Sequence, residues 1–272
     1  MRVIDKLRPF QSLYNLNMQA FLINLEKAKE RLESCKNEFQ KIGLAPFIVK
    51  AIDGENFSPS EKEVSKFSYM LKHGKRINIR EVACYSSHLK ALKLFLETQE
   101  EYALICEDDI EFDIQFLNVL EKSIRTPIKF DILRLSGSEN KNKEKGNPIK
   151  LYKIYEEFYL SLNLTYKPIA ACYLINRKAA KSVVKNLHIM DLPYDYALDR
   201  DWLLGVRSLT ITPSIVNLKK ELHIDNSFIR ASKKYKLNFF LRIWTVLPFR
   251  FYLESRRFFY KIFLLIKIKI ES

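Results

Sequence analysis

Glycine is scarce in this 272-residue chain: there are six, and no GxGxxG or GxxxxGK[ST] run occurs anywhere. That closes the route in which bare backbone amides of a glycine loop cradle the phosphates of a nucleotide. Cysteine is equally thin. Cys35, Cys84, Cys106 and Cys172 form no CxxC pair, and Cys106 and Cys172 sit inside apolar runs, the pattern of small buried thiols in a reducing compartment. The first ten residues carry Arg2, Asp5, Lys6 and Arg8 and no apolar core, so no secretory signal is legible. No run of about 18 uncharged apolar residues exists, which by the usual length rule leaves no spanning helix. These absences lead us to expect a cytoplasmic protein.

Apolar residues, by contrast, make up 47% of the chain, enough to bury a sizeable core, and the length suits one α/β domain with a modest appendage. The net charge of +14 is unevenly placed: residues 231–272 alone carry +8 of it. The basic character therefore belongs to a tail.

The order of segments is that of an open α/β sheet. Ala20–Ile23 reads as a buried strand, Glu26–Ile42 as a helix stopped by Gly43, and Phe47–Val49 as a second strand running on to Ala51-Ile52-Asp53-Gly54. Strand, helix, strand implies parallel pairing. Ser58–Ile79 is polar, a loop with a short helix. Glu81–Gln99 is a helix with Val82, Tyr85, Leu89, Leu92 and Leu96 on one face, and Tyr102–Cys106 a buried strand. A helix over Asp113–Ser123 and a strand over Phe130–Leu135 follow. Ser138–Asn147 lacks apolar residues and reads as a mobile loop. Leu151–Ile175 holds two or three strands, Arg177–Asn186 a helix and Leu209–Val216 a last strand. The sheet is expected from Gln19 to about Ser232.

Three groups of residues can carry chemistry. Glu107-Asp108-Asp109 directly follows the strand Tyr102–Cys106, and in open α/β sheets ligands bind at the carboxyl ends of strands. Three adjacent carboxylates repel one another unless a cation or strong donors compensate, and a hard divalent ion shared with substrate phosphates would do so. The equal alternative is acidic residues favouring the start of the next helix. Cys84 and His88 stand four residues apart on one helix face, but no further Cys/His cluster completes a zinc site, so His88 reads as a packed or site-lining residue. Lastly, Pro193–Trp202 sets Asp195, Asp199 and Asp201 among aromatics and Arg200. Carboxylates beside an aromatic wall suit sugar hydroxyls, and one could be a general base; a solvated helix start with an Arg–Asp pair is the equal alternative.

Four of these motifs, in this order, resemble glycosyltransferase family 25, the lipooligosaccharide-type galactosyltransferases related to the collagen galactosyltransferases. They are Phe21-Leu22-Ile23-Asn24-Leu25 with Glu30-Arg31, then Ala51-Ile52-Asp53-Gly54, then Glu81-Val82-Ala83-Cys84-Tyr85-Ser86-Ser87-His88, then Leu104-Ile105-Cys106-Glu107-Asp108-Asp109. The resemblance spans about residues 19–230 and extends to Tyr173-Leu174-Ile175, Asp195 and Ser227-Phe228-Ile229. It departs from the family at Arg80 and Ala83, where glycine is usual, and at Leu32, where the family has a second arginine.

The resemblance implies a GT-A-like fold: an open, mostly parallel sheet flanked by helices, here followed by a helical basic C-terminal tail. It implies transfer of galactose from UDP-galactose, in β linkage, onto a lipid-linked oligosaccharide such as lipooligosaccharide or lipopolysaccharide. Glu107 and Asp109 would then hold Mn2+ or Mg2+. Asn24, Arg31, Ala51, Asp53, Gly54, Ser87, His88 and Asp108 would line the donor. Asp195, Asp199 or Asp201 would be the base if configuration inverts.

Residues 1–232 are thus expected to form the transferase domain and 233–272 a separate tail. That tail mixes aromatics with Lys233, Lys234, Lys236, Arg242, Arg250, Arg256, Arg257, Lys261, Lys267 and Lys269, and Pro248 would divide it into two helical pieces. Such a segment suits peripheral attachment to an anionic membrane, here the inner membrane face, while an ordinary helix packed on the core is the plainer reading. No nucleic-acid motif is present, so nucleic acid is not an expected partner. Two rival readings are a metal-dependent phosphoesterase and a non-enzymatic membrane-bound interaction protein.

Overall fold

The computed structural model describes residues 17–60, 62–137, 148–166, 169–219, 240 and 242–271. The expected loop at Ser138–Asn147, the motif Ser227–Ile229, Lys233, Lys234, Lys236 and the boundary at 232/233 lie outside these residues. The elements in chain order are β1 (Met18–Asn24), α1 (Lys29–Lys41), β2 (Phe47–Lys50), α2 (Lys66–His73), α3 (Ile79–Glu97), β3 (Tyr102–Glu107), β4 (Ile110–Phe112) and α4 (Phe116–Ile124). Then come β5 (Ile132–Arg134), β6 (Pro148–Tyr155), β7 (Phe158–Asn163), β8 (Cys172–Asn176), α5 (Arg177–Asn186), α6 (Tyr194–Leu198), α7 (Asp201–Leu204), β9 (Ser208–Thr212), β10 (Val216–Leu218) and α8 (Leu247–Glu271).

Eight strands form one sheet in the order β2-β1-β3-β8-β5-β9-β7-β6, and β4 pairs with β10 apart from it. The expected open α/β sheet flanked by helices is present, and it is mixed. β1 runs parallel to β2 and β3, and β5 to β9, whereas β8 is antiparallel to both β3 and β5, and β7 to β6 and β9.

Alternation along the central strands explains their uninterrupted apolar sequence. Phe21 and Ile23 of β1, with Ala103 and Ile105 of β3, enter one core beneath α3 and α5. Ala20 and Leu22, with Leu104 and Cys106, enter a second core beneath α1 and α4. A strand covered on both faces needs apolar residues at every position.

Local chemistry sets the helix bounds. The Asn78 side chain caps α3 by accepting from Arg80 N, and Asn176 caps α5 by accepting from Ala179 N. Asp113 Oδ1 accepts from Gln115 N in a turn, so α4 starts later than its acidic lead-in suggests. Pro213, with no amide to donate, stands where the single expected strand over Leu209–Val216 parts into β9 and β10.

As expected, Pro248 marks the junction of two helical pieces, a π-helical turn over Arg242–Val246 and α8, whose second residue it is. The tail differs from expectation in its packing: α8 is a 25-residue helix lying on the domain, with Arg257, Lys261, Leu264 and Ile268 buried. Arg257 and Lys261 therefore belong to the core side of the helix, and are not cations offered to a membrane. The opposite side exposes Phe251, Tyr252, Phe258, Phe259, Phe263, Ile266 and Ile270, with Trp244 just before it.

Candidate active site

Three parallel strands end at the same edge of the sheet. Asn24 closes β1, Ala51 follows β2 and Glu107 closes β3. Ala51 N donates to Asn24 O (2.8 Å) and Ile52 N to Ser87 Oγ (2.8 Å), so helix α3 is tied to the strand ends. Gly54 allows a close approach here: a Cβ would stand 3.0 Å from the Arg80 Cα, tighter than an ordinary contact. Asp53 accepts a 2.9 Å ion-pair contact from Lys27, whose ammonium holds the half-buried Asp53 carboxyl below the usual carboxylate range.

At the centre lies Asp108, 5% exposed. Asn24 Nδ2 donates to its Oδ2 (2.6 Å), and Arg31 Nη2 donates to its Oδ1. Burial pushes this carboxyl above its ordinary range, against the pull of Arg31 and Asn24. Arg31 Nη2 is also 3.8 Å from Asp109 Oδ2. Asp109 is buried, and its carbonyl accepts from Lys219 N (2.8 Å), which fastens the acidic turn to the β10 side.

Glu107 is half-buried and turns to the other neighbour. His88 Nε2 lies 3.0 Å from Glu107 Oε1. The His88 ring is stacked on Tyr194 (4.2 Å between centroids, 8° between planes), and Tyr173 Oη stands 3.4 Å from its Nδ1. Cys84, one turn earlier on α3, meets solvent at its side chain. Even so, the protein packed round the thiol, and then the charges of Glu107, Asp195, Asp109 and Glu81, push it well above its ordinary range.

Asp195 stands in the first turn of α6 and is held by two donors. Tyr166 Oη donates to Asp195 Oδ2 (2.5 Å) and Tyr196 N to its Oδ1 (2.9 Å). Burial and the neighbouring Asp195 charge keep Tyr166 protonated and thus a donor. Tyr166 and Tyr196 are stacked at 3.9 Å, and they wall a cavity of about 110 Å³ lined also by Lys72, Arg200, Arg250 and Arg257.

The structure brings Asn24, Arg31, Ala51, Ser87, His88, Glu107, Asp108 and Asp109 to one edge, with Asp53 and Gly54 on the adjoining turn. It does not bring Asp199 and Asp201 there as bases. Asp201 is wholly buried, its Oδ2 2.6 Å from Lys261 Nζ; Asp199 Oδ2 is 2.9 Å from Arg257 Nε. Their charges are spent on α8, which corrects the reading that either abstracts a proton. The solvated-helix alternative fails for the same reason. Sequence reasoning missed Lys27, Tyr166, Tyr173 and Tyr194. Lys27 carried a local signal, three residues past the motif asparagine, whereas the tyrosines reach the site only through tertiary folding.

Known proteins resemble this chain in sequence. The sequence profile described as "Glycosyltransferase family 25 (LPS biosynthesis protein)" matches residues 17–198. A "Glycosyltransferase 25 family member" of Drosophila pseudoobscura pseudoobscura is 27% identical over 122 residues, 42% of this chain and 19% of that protein. One of Aedes aegypti is 31% identical over 101 residues, 35% of this chain and 17% of that protein. Human "Procollagen galactosyltransferase 2" is 26% identical over 109 residues, 38% of this chain and 17% of that protein. The matched part thus spans less than a fifth of each of these relatives. With the profile covering most of the chain, the chain belongs to glycosyltransferase family 25.

Proposed function

We propose that this chain transfers galactose from UDP-galactose, with inversion to a β linkage, onto a lipid-linked oligosaccharide of the lipooligosaccharide or lipopolysaccharide type. The observation that carries the reading is Asp108, clamped between Asn24 and Arg31 at the carboxyl edge of parallel strands, with Glu107 and Asp109 on either side in sequence. Galactose is supported by the name of the human relative, and a lipopolysaccharide acceptor by the description of the family.

The residues fit a divalent metal. Arg31 and Asn24 already answer the Asp108 charge, so Glu107 and Asp109 are the carboxylates that would hold Mn2+ or Mg2+, both of which prefer oxygen ligands. Such an ion supplies neutralisation of the charge growing on the leaving diphosphate. Arg31 contributes a fixed positive charge at the same place. Ser87 and Gly54 keep the turn after β2 close to α3, which shapes the floor for the nucleoside. Asp195, oriented by Tyr166 and the Tyr196 amide, takes the proton of the acceptor hydroxyl. The stacked Tyr166 and Tyr196 offer an apolar face to a sugar ring.

We also assign a membrane role to the outer face of α8. Among the described residues no helix is long and apolar enough to cross a membrane. The exposed aromatics of α8, with Arg250, Arg256, Lys267 and Lys269 exposed beside them, suit the headgroup layer of an anionic bilayer, the inner membrane face on the cytoplasmic side.

The test is direct. Thermal shift should rise with UDP plus Mn2+ more than with either alone, and a lipooligosaccharide acceptor incubated with UDP-galactose should gain one hexose by mass. Stabilisation by neither nucleotide nor metal, together with no mass gain from any UDP-sugar, would overturn the reading.

A further inference from the structure

Cys84 and His88 are four residues apart on α3 and so share a face one turn apart. The end of β3 brings Glu107 against that face. One thiol sulfur, one imidazole nitrogen and one carboxylate oxygen lie within 4.8 Å of one another. A tetrahedral ion with bonds of about 2.0–2.3 Å sets its ligand atoms roughly 3.3–3.7 Å apart. His88 Nε2 and Glu107 Oε1, at 3.0 Å, are already near that spacing. The Cys84 sulfur, within 4.8 Å of both, needs a shift of about 1 Å to reach it.

The imidazole is held as a metal ligand is usually held. Its plane is fixed by stacking on Tyr194, and its far nitrogen, Nδ1, faces Tyr173 Oη, which in turn is 2.8 Å from Tyr194 Oη. Without an ion, Nε2–H donates to Glu107; on metal binding that proton gives way to the ion and the ring proton sits on Nδ1, where it can be donated to Tyr173. A hydrogen-bond partner behind the ligating histidine is the usual arrangement in zinc sites. His88 is buried and Cys84 is exposed, so the cluster opens to solvent on one side only.

We propose that Cys84, His88 and Glu107 form a three-ligand site for a thiophilic divalent ion of the Zn2+ class, with water in the fourth position. A set of one sulfur, one nitrogen and one oxygen selects Zn2+ over Mg2+ or Mn2+, which prefer oxygen. On binding, an Sγ–metal bond forms, the thiol proton leaves to solvent, and nothing is oxidised. The site stands on its own ligands and needs no transfer activity. One consequence alone rests on the donor reading: Glu107 is common to both assignments, so an ion seated here withdraws it from the donor's metal.

Cobalt spectroscopy on the reduced, full-length protein in chelator-free buffer tests this. Co2+ should give a near-ultraviolet sulfur-to-metal charge-transfer band and the visible bands of a tetrahedral ion, both bleached by one equivalent of Zn2+. Cys84→Ser, at an exposed position that should not disturb folding, should lose the charge-transfer band. Tyr173→Phe should weaken Zn2+ in a chelator competition by about 10–100-fold, the usual cost of losing the partner behind a ligating histidine. The absence of a charge-transfer band in the wild type overturns the proposal. So does a band that survives in Cys84→Ser, which would place the sulfur at the buried Cys106–Cys172 pair, 3.3 Å apart. Equal Zn2+ affinity in the wild type and Cys84→Ser overturns it as well.

Discussion

Lys261 Nζ lies 2.6 Å from Asp201 Oδ2, and both side chains are almost wholly out of water. The lysine also donates to Ser208 O (3.3 Å), and the aspartate accepts from Ser208 N (3.1 Å), so helix α8 is bolted to the start of β9. Losing one member of such a pair strands a buried charge, which costs about 3–5 kcal/mol. Lys261→Met should therefore lower unfolding stability by that order in urea. The double variant Lys261→Met, Asp201→Leu should recover more than half of it. Deleting residues 247–272 should leave an insoluble or unfolded chain; a truncated protein with wild-type Tm would show that α8 is a dispensable appendage.

Asp195→Asn should cut turnover by about 10²–10⁴, the scale of a lost general base, with UDP affinity nearly unchanged. Tyr166→Phe, which removes only the hydrogen bond to Asp195 Oδ2, should have a smaller effect in the same direction. If the acceptor KM rises while kcat holds in Asp195→Asn, the residue binds the acceptor and the base lies elsewhere.

Arg31→Ala removes the guanidinium that answers Asp108. Burial already holds the Asp108 carboxyl above its ordinary range, so without Arg31 it should take up a proton more readily still. We expect weaker UDP binding by calorimetry, with the deficit deepening as pH falls. A flat pH dependence in the variant would detach Arg31 from the charge state of Asp108.

Asp191 gives the acid limit of the fold. Burial alone would raise it, but the charges and hydrogen bonds of Arg200 and Lys72 overcome burial and hold it below the carboxylate range. A depressed folded pKa contributes stability that is fully present above the unfolded value, about 3.9, and is lost as pH falls through the lower folded value. Asp191→Asn should lower Tm at neutral pH and flatten the Tm profile below about pH 4. Parallel profiles for the two proteins would refute this linkage.

Trp244, Phe251 and Phe259 are 81%, 77% and 70% exposed. Replacing all three with serine should abolish co-sedimentation with vesicles containing anionic phospholipid while leaving Tm almost unchanged. Salt should weaken the wild-type interaction only in part, since the apolar share is not screened. Unaltered vesicle binding in the triple variant would leave this face without a membrane role.

The elements were legible wherever their cause was local. β1 and β3 announce themselves as unbroken apolar runs because both faces are covered, and α5 has the expected bounds because Asn176 caps it. The gathering of Asn24, Gly54 and Asp108 at one sheet edge was legible as well, since each sits at a strand end or the turn just beyond one. Direction was not: nothing within Ile169–Ile175 tells β8 to run antiparallel to β3. Asp199 and Asp201 looked like rivals to Asp195 as the base because their closest counter-ions, Arg257 and Lys261, are on α8, far along the chain. The cluster at His88 was illegible for the same reason, its third ligand coming from another element.

The bolt between Asp201 and Lys261 also joins residues sixty positions apart. During synthesis at roughly 5–20 residues per second, Asp201 leaves the ribosome about 3–12 s before its counter-ion does. Throughout that interval Asp199 has Arg134 beside it, 3.8 Å away, but neither aspartate has its partner from α8. A nascent chain arrested before Arg257 should still be cut by protease near Asp201, whereas one arrested after α8 has emerged should resist.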